Sequence, residues 1–388
     1  MTIFAWKRGI PCTLGLLVAS FSFAQMSDTM YSFEMGGRAY GMGGSIYSNS
    51  ADASASYWNP ACLGLVQTTL VEAVMRNRPI SQTHLTGTIE DGLDGTGELG
   101  YGFQSLSFGG VAWPFRGGTL GLSYAVGGYV RQNGFGEDTT SSSAGGPLTA
   151  QTLFRSMTEF FTVAYGRPMG QNSNIGVGVV VARQSLSDKA HVFFTGDPDS
   201  IVLSGGFDDL GSGVGAIVGY QFTPPGRQNV SIGASYRSEI NLSGIDSGSS
   251  HIDVIPARLQ GGLAFRVDGL RGGRDFLIGG VDVMYIFPGN DGKVLENDGQ
   301  FSAGIGLEYN WTQSFGYLPI RIGFRFIDKS IKRQVALQED PFIARQIVTF
   351  GIGYRPKNAP YSLELNLAAG NKQNTPDIAL GLQFEVRK

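Results

Sequence analysis

The sequence predicts an all-β fold, a transmembrane antiparallel β-barrel of about fourteen strands. Three observations point there. Apolar and polar residues alternate one for one over most of the chain, the period of a strand with one apolar and one polar face. The alternating segments run about 10–14 residues, whereas soluble strands cluster near 5–6 and a tilted membrane-spanning strand needs about 9–11. Short and long connections between the segments also alternate, as periplasmic turns and external loops do in membrane barrels.

The chain of 388 residues opens with Lys7 and Arg8, an apolar stretch from about Ile10 to Phe23, and small residues at Ser22 and Ala24. This is the pattern of a cleaved secretory signal peptide, with the cut expected after Ala24. The apolar stretch is too short for a spanning helix, which needs about 20 apolar residues. Three regions follow: 1–24 as signal peptide, 25–66 as an irregular segment rich in Gly, Ser and Ala, and 67–388 as the barrel. Every later apolar run is broken by Gly, Ser, Arg or Glu, so no spanning helix is expected. Cys12 leaves with the signal, and the mature chain keeps only Cys62, which excludes an intramolecular disulfide. Cys62 reads as a small buried residue. A net charge of −3 offers no basic footprint for nucleic acid.

The strands are placed at about 67–76, 104–115, 118–130, 157–168, 174–186, 211–222, 230–242, 253–267, 275–287, 300–312, 320–328, 345–356, 361–369 and 377–387. The clearest is 300–312, where Phe301, Ala303, Ile305, Leu307, Tyr309 and Trp311 alternate with Ser302, Gly304, Gly306, Glu308, Asn310 and Thr312. In 361–369, Leu363 and Leu365 alternate with Ser362, Glu364 and Asn366. In 320–328, Ile320, Ile322, Phe324 and Phe326 oppose Arg321 and Arg325. Tyr309, Trp311, Tyr354, Phe326 and Phe384 fall near strand ends, where an interfacial girdle requires aromatics. Connections 77–103, 131–156, 187–210, 243–252, 288–299 and 329–344 are long. Those at 116–117, 169–173, 223–229, 268–274, 313–319 and 357–360 are shorter, while 370–376 is a short external one. An even count puts both ends of the barrel in the periplasm.

Little in the chain suggests catalysis. His84, His191 and His251 have no second ligand at metal spacing, so neither a metal site nor a cofactor is expected. No local partner turns a serine into a nucleophile, and the chain is not expected to be an enzyme. Gly211-Ser-Gly213-Val-Gly215 looks superficially like a nucleotide loop, but Val214, Ala216, Val218 and Tyr220 continue a strand, so its glycines are lumen-facing positions that leave room inside. Inward charges are more informative. Arg237, Arg258, Arg266, Arg321, Arg325, Glu308 and Glu364 occupy polar faces. Either they form a solvated or salt-bridged lumen, or some arginines, with Arg237, Arg258, Arg321 and Arg325 the candidates, hold an anionic ligand headgroup.

Residues 36–65, GGRAYGMGGSIYSNSADASASYWNPACLGL, resemble the N-terminal signature of the long-chain fatty acid outer-membrane transporters (FadL-type) and their PorV-like relatives: a Gly-rich stretch, small residues, then Asn59-Pro60-Ala61. The likeness continues at Ile232-Gly-Ala-Ser-Tyr-Arg-Ser238, at Ile255-Pro-Ala-Arg-Leu259 and at Gly351-Ile-Gly-Tyr-Arg355. Cys62 stands where the family usually has Gly, and the chain ends without an aromatic residue. The resemblance implies a fourteen-stranded barrel in the outer membrane of a Gram-negative-type bacterium, with the N-terminal segment folded inside as a hatch. It implies that hydrophobic small molecules enter from outside, meet the hatch and leave through an opening in the wall into contact with outer-membrane lipid. PorV-like members instead serve type IX protein export, which makes secretion-system proteins the alternative partners. Small residues let the backbone of 25–66 pack closely inside a barrel, and Pro60 suits a turn. The hatch should therefore fill the lumen with Asn59-Pro60-Ala61 near the periplasmic side, the Asn59 side chain satisfying backbone groups of that turn.

Overall fold

The structure, a computed structural model, describes residues 36–78, 83–89, 93–99, 103–138, 148–194, 196–244, 253–289, 295–297, 299–328, 331–333, 345–370 and 377–386. The signal peptide, the first residues of the mature chain, His251 and the short connection 371–376 lie outside them.

Fourteen strands close into one antiparallel barrel. In chain order they are β1 (Thr69–Arg78), β4 (Phe103–Phe115), β5 (Gly118–Asp138), β6 (Leu148–Pro168), β7 (Ser173–Phe194), β8 (Asp197–Phe222), β9 (Val230–Arg237), β12 (Arg258–Gly269), β13 (Asp275–Ile286), β15 (Gln300–Gln313), β16 (Gly316–Ile327), β18 (Arg345–Pro356), β19 (Tyr361–Gly370) and β20 (Asp377–Val386). Three small two-stranded sheets sit at the end with the long connections. They pair β2 (Thr83–Ile89) with β3 (Leu93–Leu99), β10 (Ile240–Asn241) with β11 (Val254–Ile255), and β14 (Leu295–Asn297) with β17 (Ile331–Arg333). Each barrel strand pairs with its sequence neighbour in the wall, and β1 pairs with β20 to close the cylinder, Thr69 opposite Val386. Closure removes the unpaired edge that a sheet could not carry through lipid.

The period-two reading holds on both faces. Along β19, Leu363 and Leu365 are exposed while Ser362, Glu364 and Asn366 are buried. Leu307 is 41% exposed, yet its neighbour Glu308 is 1% exposed. The outer wall is consequently apolar: Val214 is 65% exposed and Ile322 and Leu380 56% each. In water so broad an apolar surface would aggregate; against acyl chains it is the required lining. Its limit is visible on β6 to β8. Outward rows Val163–Val179–Ala216 and Phe161–Val181–Val214 are apolar, and the next row out holds Glu159 and Arg183. There Tyr124 Oη donates to Glu159 Oε1 at 2.9 Å. Aromatic pairs mark the rim with the short turns, Trp113 with Phe115 and Phe315 with Tyr354, and the opposite rim, Tyr285 and Tyr236 with Phe287. The chain is an outer-membrane β-barrel.

Two departures from the sequence reading concern where strands end. The expected loops 131–156 and 187–210 are largely strand: β5 and β6 pair out to Asp138 opposite Leu148, and β7 and β8 out to Phe194 opposite Asp197. The backbone ladder continues here although apolar and polar residues no longer alternate. Conversely, β9 ends at Arg237 rather than 242 and β12 begins at Arg258 rather than 253. Between them the chain leaves the wall and turns Ile240 inward, where it is fully buried.

Candidate functional site

Residues 36–66 lie inside the barrel. They form α1 (Gly37–Gly41), α2 (Ala55–Trp58) and a 3-10 turn (Pro60–Leu65) joined by tight turns, and almost every residue from Ala39 to Leu63 is buried. The stretch circles the lumen. Gly37 lies against β19 and β20, Met42 and Gly43 against β16, Ser48 against β9, and Pro60 against β6 and β7. Close approach is possible because the facing wall positions are glycines. A Cβ at Gly323 would overlap the Met42 and Gly43 backbone, one at Gly233 the Ser48 carbonyl, and one at Gly176 the Pro60 carbonyl. Gly43 and Gly44 both take positive φ, 64° and 73°, in the turn that skirts β16.

A backbone that forms no sheet at membrane depth must be satisfied by other groups. Inward polar side chains of the wall do this. Glu72 accepts from Gly37 N (3.0 Å), and Asn366 Nδ2 donates to Gly37 O (2.9 Å). Thr349 Oγ1 donates to Gly41 O (3.0 Å), Asp282 accepts from Ser48 N (2.8 Å), and Ser235 Oγ donates to Trp58 O (2.7 Å). Within the stretch, Asp52 accepts from Ser54 N (2.9 Å) and from the Ser50 hydroxyl, and Tyr47 stacks on Trp58 with ring centroids 3.8 Å apart.

Asn59-Pro60-Ala61 sits near the short-turn end of β6, β7 and β8, beside Gly166, Gly176 and Gly219. Asn59 Oδ1 accepts from Ala61 N (3.1 Å), while Nδ2 donates to Ser48 O (2.8 Å) and Tyr220 O (3.1 Å). One side chain thus caps its own turn, ties it to an earlier part of the segment and fixes it to the wall. Cys62 Sγ donates to the same Ser48 carbonyl at 3.2 Å.

The four candidate arginines are buried and bonded to protein groups. Arg258 donates to Tyr57 O (2.9 Å) and lies over the Tyr57 and Trp58 rings. Arg325 donates to Ser302 Oγ (2.9 Å) and Gly43 O (3.4 Å) and lies over Tyr47. Arg321 pairs with Glu308 (2.7 Å) and Glu364 (3.0 Å). Arg237, next to Arg258 in register, donates to Pro256 O (2.7 Å) with its guanidinium 5.2 Å from the Phe160 ring centre. The sequence reading did not single out Arg38, which completes the charge cluster: its Nε and Nη2 reach the two Glu308 oxygens at 3.0 Å each. Asp282 and Glu72 were also not singled out, and Asn366 was read only as a polar-face residue of its strand. Their trace in the sequence is a polar residue at an inward position, as where Asp282 interrupts Val281 and Val283.

The wall itself has a break. The β4–β5 ladder stops at Phe108 opposite Ala125. Beyond it, among the described residues, 103–107 of β4 ladder only with β1 and 126–138 of β5 only with β6, while β3 lies alongside β5 without a ladder to it. Bulges lie at both margins, at Ser107 in the β1–β4 ladder and at Gly127 in β5. Phe108 and Phe160 line the inner side of this place, and Gly127 lies against the Phe160 ring. A separate cavity of about 180 Å³ opens between the inward segment and β9, β12 and β13, lined by Arg38, Ile46, Asn49, Ser231 and Phe265.

No family profile matches the sequence, and no curated protein matches it. Solved structures do. A Pseudomonas aeruginosa FadL homologue aligns over 92% of this chain and 98% of its own, with TM-score 0.57 and 17% identity. The Ralstonia pickettii toluene transporter TbuX aligns over 91% and 98%, with TM-score 0.57 and 14% identity. The Pseudomonas putida toluene transporter TodX aligns over 92% and 100%, with TM-score 0.60 and 13% identity. Full-length agreement at such low identity is agreement of architecture, and the chain has the fourteen-stranded barrel fold of the FadL-type transporters.

Proposed function

We propose that this chain passes hydrophobic small molecules across the outer membrane, with residues 25–66 as the hatch and the β4–β5 break as the way out. The observation that carries the reading is the combination of a lumen crossed by a buried segment with a side wall whose ladder is interrupted above it. A polar pore needs a clear lumen; an apolar solute needs only a path from the lumen into lipid. Phe108, Ala125 and Phe160 give that path an apolar lining, and the chain has the architecture of proteins described as toluene transporters. Long-chain fatty acids are the ligands that the 36–65 signature suggests. In this reading Arg237, beside Phe160, is the candidate arginine best placed for an acidic headgroup, while Arg258, Arg321 and Arg325 hold the hatch and the wall.

The test is deletion of residues 36–60. The barrel should still fold, gain conductance for small polar ions in planar bilayers, and lose selective uptake of a labelled fatty acid. Unchanged conductance and unchanged uptake would rule out the hatch and leave a barrel that binds secretion-system proteins as the better account.

A further inference from the structure

We propose that Gln184 reads the polar group of the transported ligand, so that the channel selects apolar molecules carrying a hydrogen-bonding oxygen over plain hydrocarbons. This rests on the transport reading and names its substrate class. Gln184 points inward from β7 between Ala182 and Leu186 and is fully buried. It lies opposite Thr158 on β6 and Gly211 on β8. Phe160 pairs with Ala182 in the adjacent row, and Ile240 packs over Gly213 and Gly215. In this apolar setting neither the amide oxygen nor the amide nitrogen has a hydrogen-bond partner among the described residues.

Buried side-chain amides nearly always have partners, because an unpaired one forfeits its bonds to water. A leucine would fill the same space without that cost. An amide kept there calls for a partner that comes and goes. Its position says which one. Gln184 lies eight residues beyond Gly176, which touches the hatch, so it stands about 26 Å further along the strand. The register Gly128–Thr158–Gln184 places it in the row of the β5 bulge, just above the last β4–β5 pair. A ligand descending from outside towards the side opening passes this row. Two more buried hydroxyls without partners, Thr162 and Ser123, face inward lower on the same strip and pair with each other in register. A primary amide donates and accepts at once, so it complements a carboxylic acid, an alcohol or a carbonyl. A hydrocarbon leaves it unpaired, and a site built to hydrogen-bond discriminates against ligands that cannot.

The experiment uses cells whose only hydrophobic channel is this full-length protein, with equal folded barrel confirmed by heat-modifiable mobility. Initial uptake is measured for labelled hexadecanoic acid, its matching alcohol and hexadecane. The wild type should favour both oxygenated compounds by about ten-fold, the value of one hydrogen bond. Gln184→Leu should remove the preference by slowing those two compounds while sparing the hydrocarbon, and Gln184→Asn should restore part of it. A purely structural glutamine would change all three rates together. Equal uptake of all three by the wild type, or a parallel loss in Gln184→Leu, would overturn the role of Gln184 and leave transport standing. Uptake of none by the wild type would overturn the transport reading and this inference with it.

Discussion

Gly323→Val tests whether residues 36–66 obstruct the lumen. Gly323 sits inside the ladder of β16, opposite Gly306 on β15 and Thr349 on β18. A Cβ there would lie under 3.0 Å from the Met42 carbonyl carbon and oxygen and from Gly43 N, all of them backbone atoms. No side chain can swing away, so either the wall or the inward segment must move. The wall strand is hydrogen-bonded on both sides. The segment is held at this point by single bonds such as Thr349 to Gly41 O and Arg325 to Gly43 O, so it is the segment that yields. Overpacking of this kind costs roughly 1–3 kcal/mol. Since about 1.4 kcal/mol is a factor of ten, the displaced state of the segment should become on the order of five- to a hundred-fold more populated. Single-channel recording should then show more frequent openings to small ions. Gly261→Val is the control, because a Cβ there finds nothing nearer than the Gly233 carbonyl oxygen at 3.6 Å. If both variants fold and conduct as the wild type does, the segment at β16 is not the obstruction.

Two further perturbations separate the wall from its contents. Leu365→Arg puts a charge on the lipid face and should destabilise the folded barrel by about 2–4 kcal/mol in urea titrations from lipid vesicles. Ser362→Arg faces the 350 Å³ cavity at the periplasmic end of β18 to β20 and should cost much less; equal costs would contradict the assignment of faces. Asn59→Ala removes three hydrogen bonds of the Asn59-Pro60-Ala61 turn. At about 1 kcal/mol each, their loss should loosen the inward segment by roughly 3 kcal/mol. Amide exchange near Ala61 and Ser48 should rise many-fold while β15 and β16 stay protected; exchange that rises everywhere would mean that Asn59 supports the whole barrel.

The barrel was legible because lipid imposes a rule that each strand must obey by itself. Every outward residue between the two rims must be apolar, so the alternation of Phe301 to Thr312 and of Tyr361 to Asn366 is a local property that needs no knowledge of neighbours. Where that rule lapses, legibility lapses with it: β5 to β8 run on as paired strands, and residues 131–156 and 187–210 carry no alternation to betray them. Residues 238–243 turn inward for a related reason. They pack on Gly213 and Gly215 of a strand read correctly as having room inside, but only the fold shows what takes up that room.

The contents of the barrel depend on long-range pairing. Asn59 shows its turn chemistry in the sequence, yet its bond to Tyr220 O spans 161 positions, and the Arg38–Glu308 pair spans 270. No spacing rule connects residues so far apart, and an inward arginine looks the same in sequence whether it awaits a ligand or already holds a carbonyl. The sequence by itself determined the barrel, its strand count, its lipid face and the small-residue segment that precedes it. The tertiary structure alone decided which glycines that segment lies against, which inward charges are already paired, and where the wall ladder breaks, because each of these is a meeting of distant strands that only closure of the cylinder brings about.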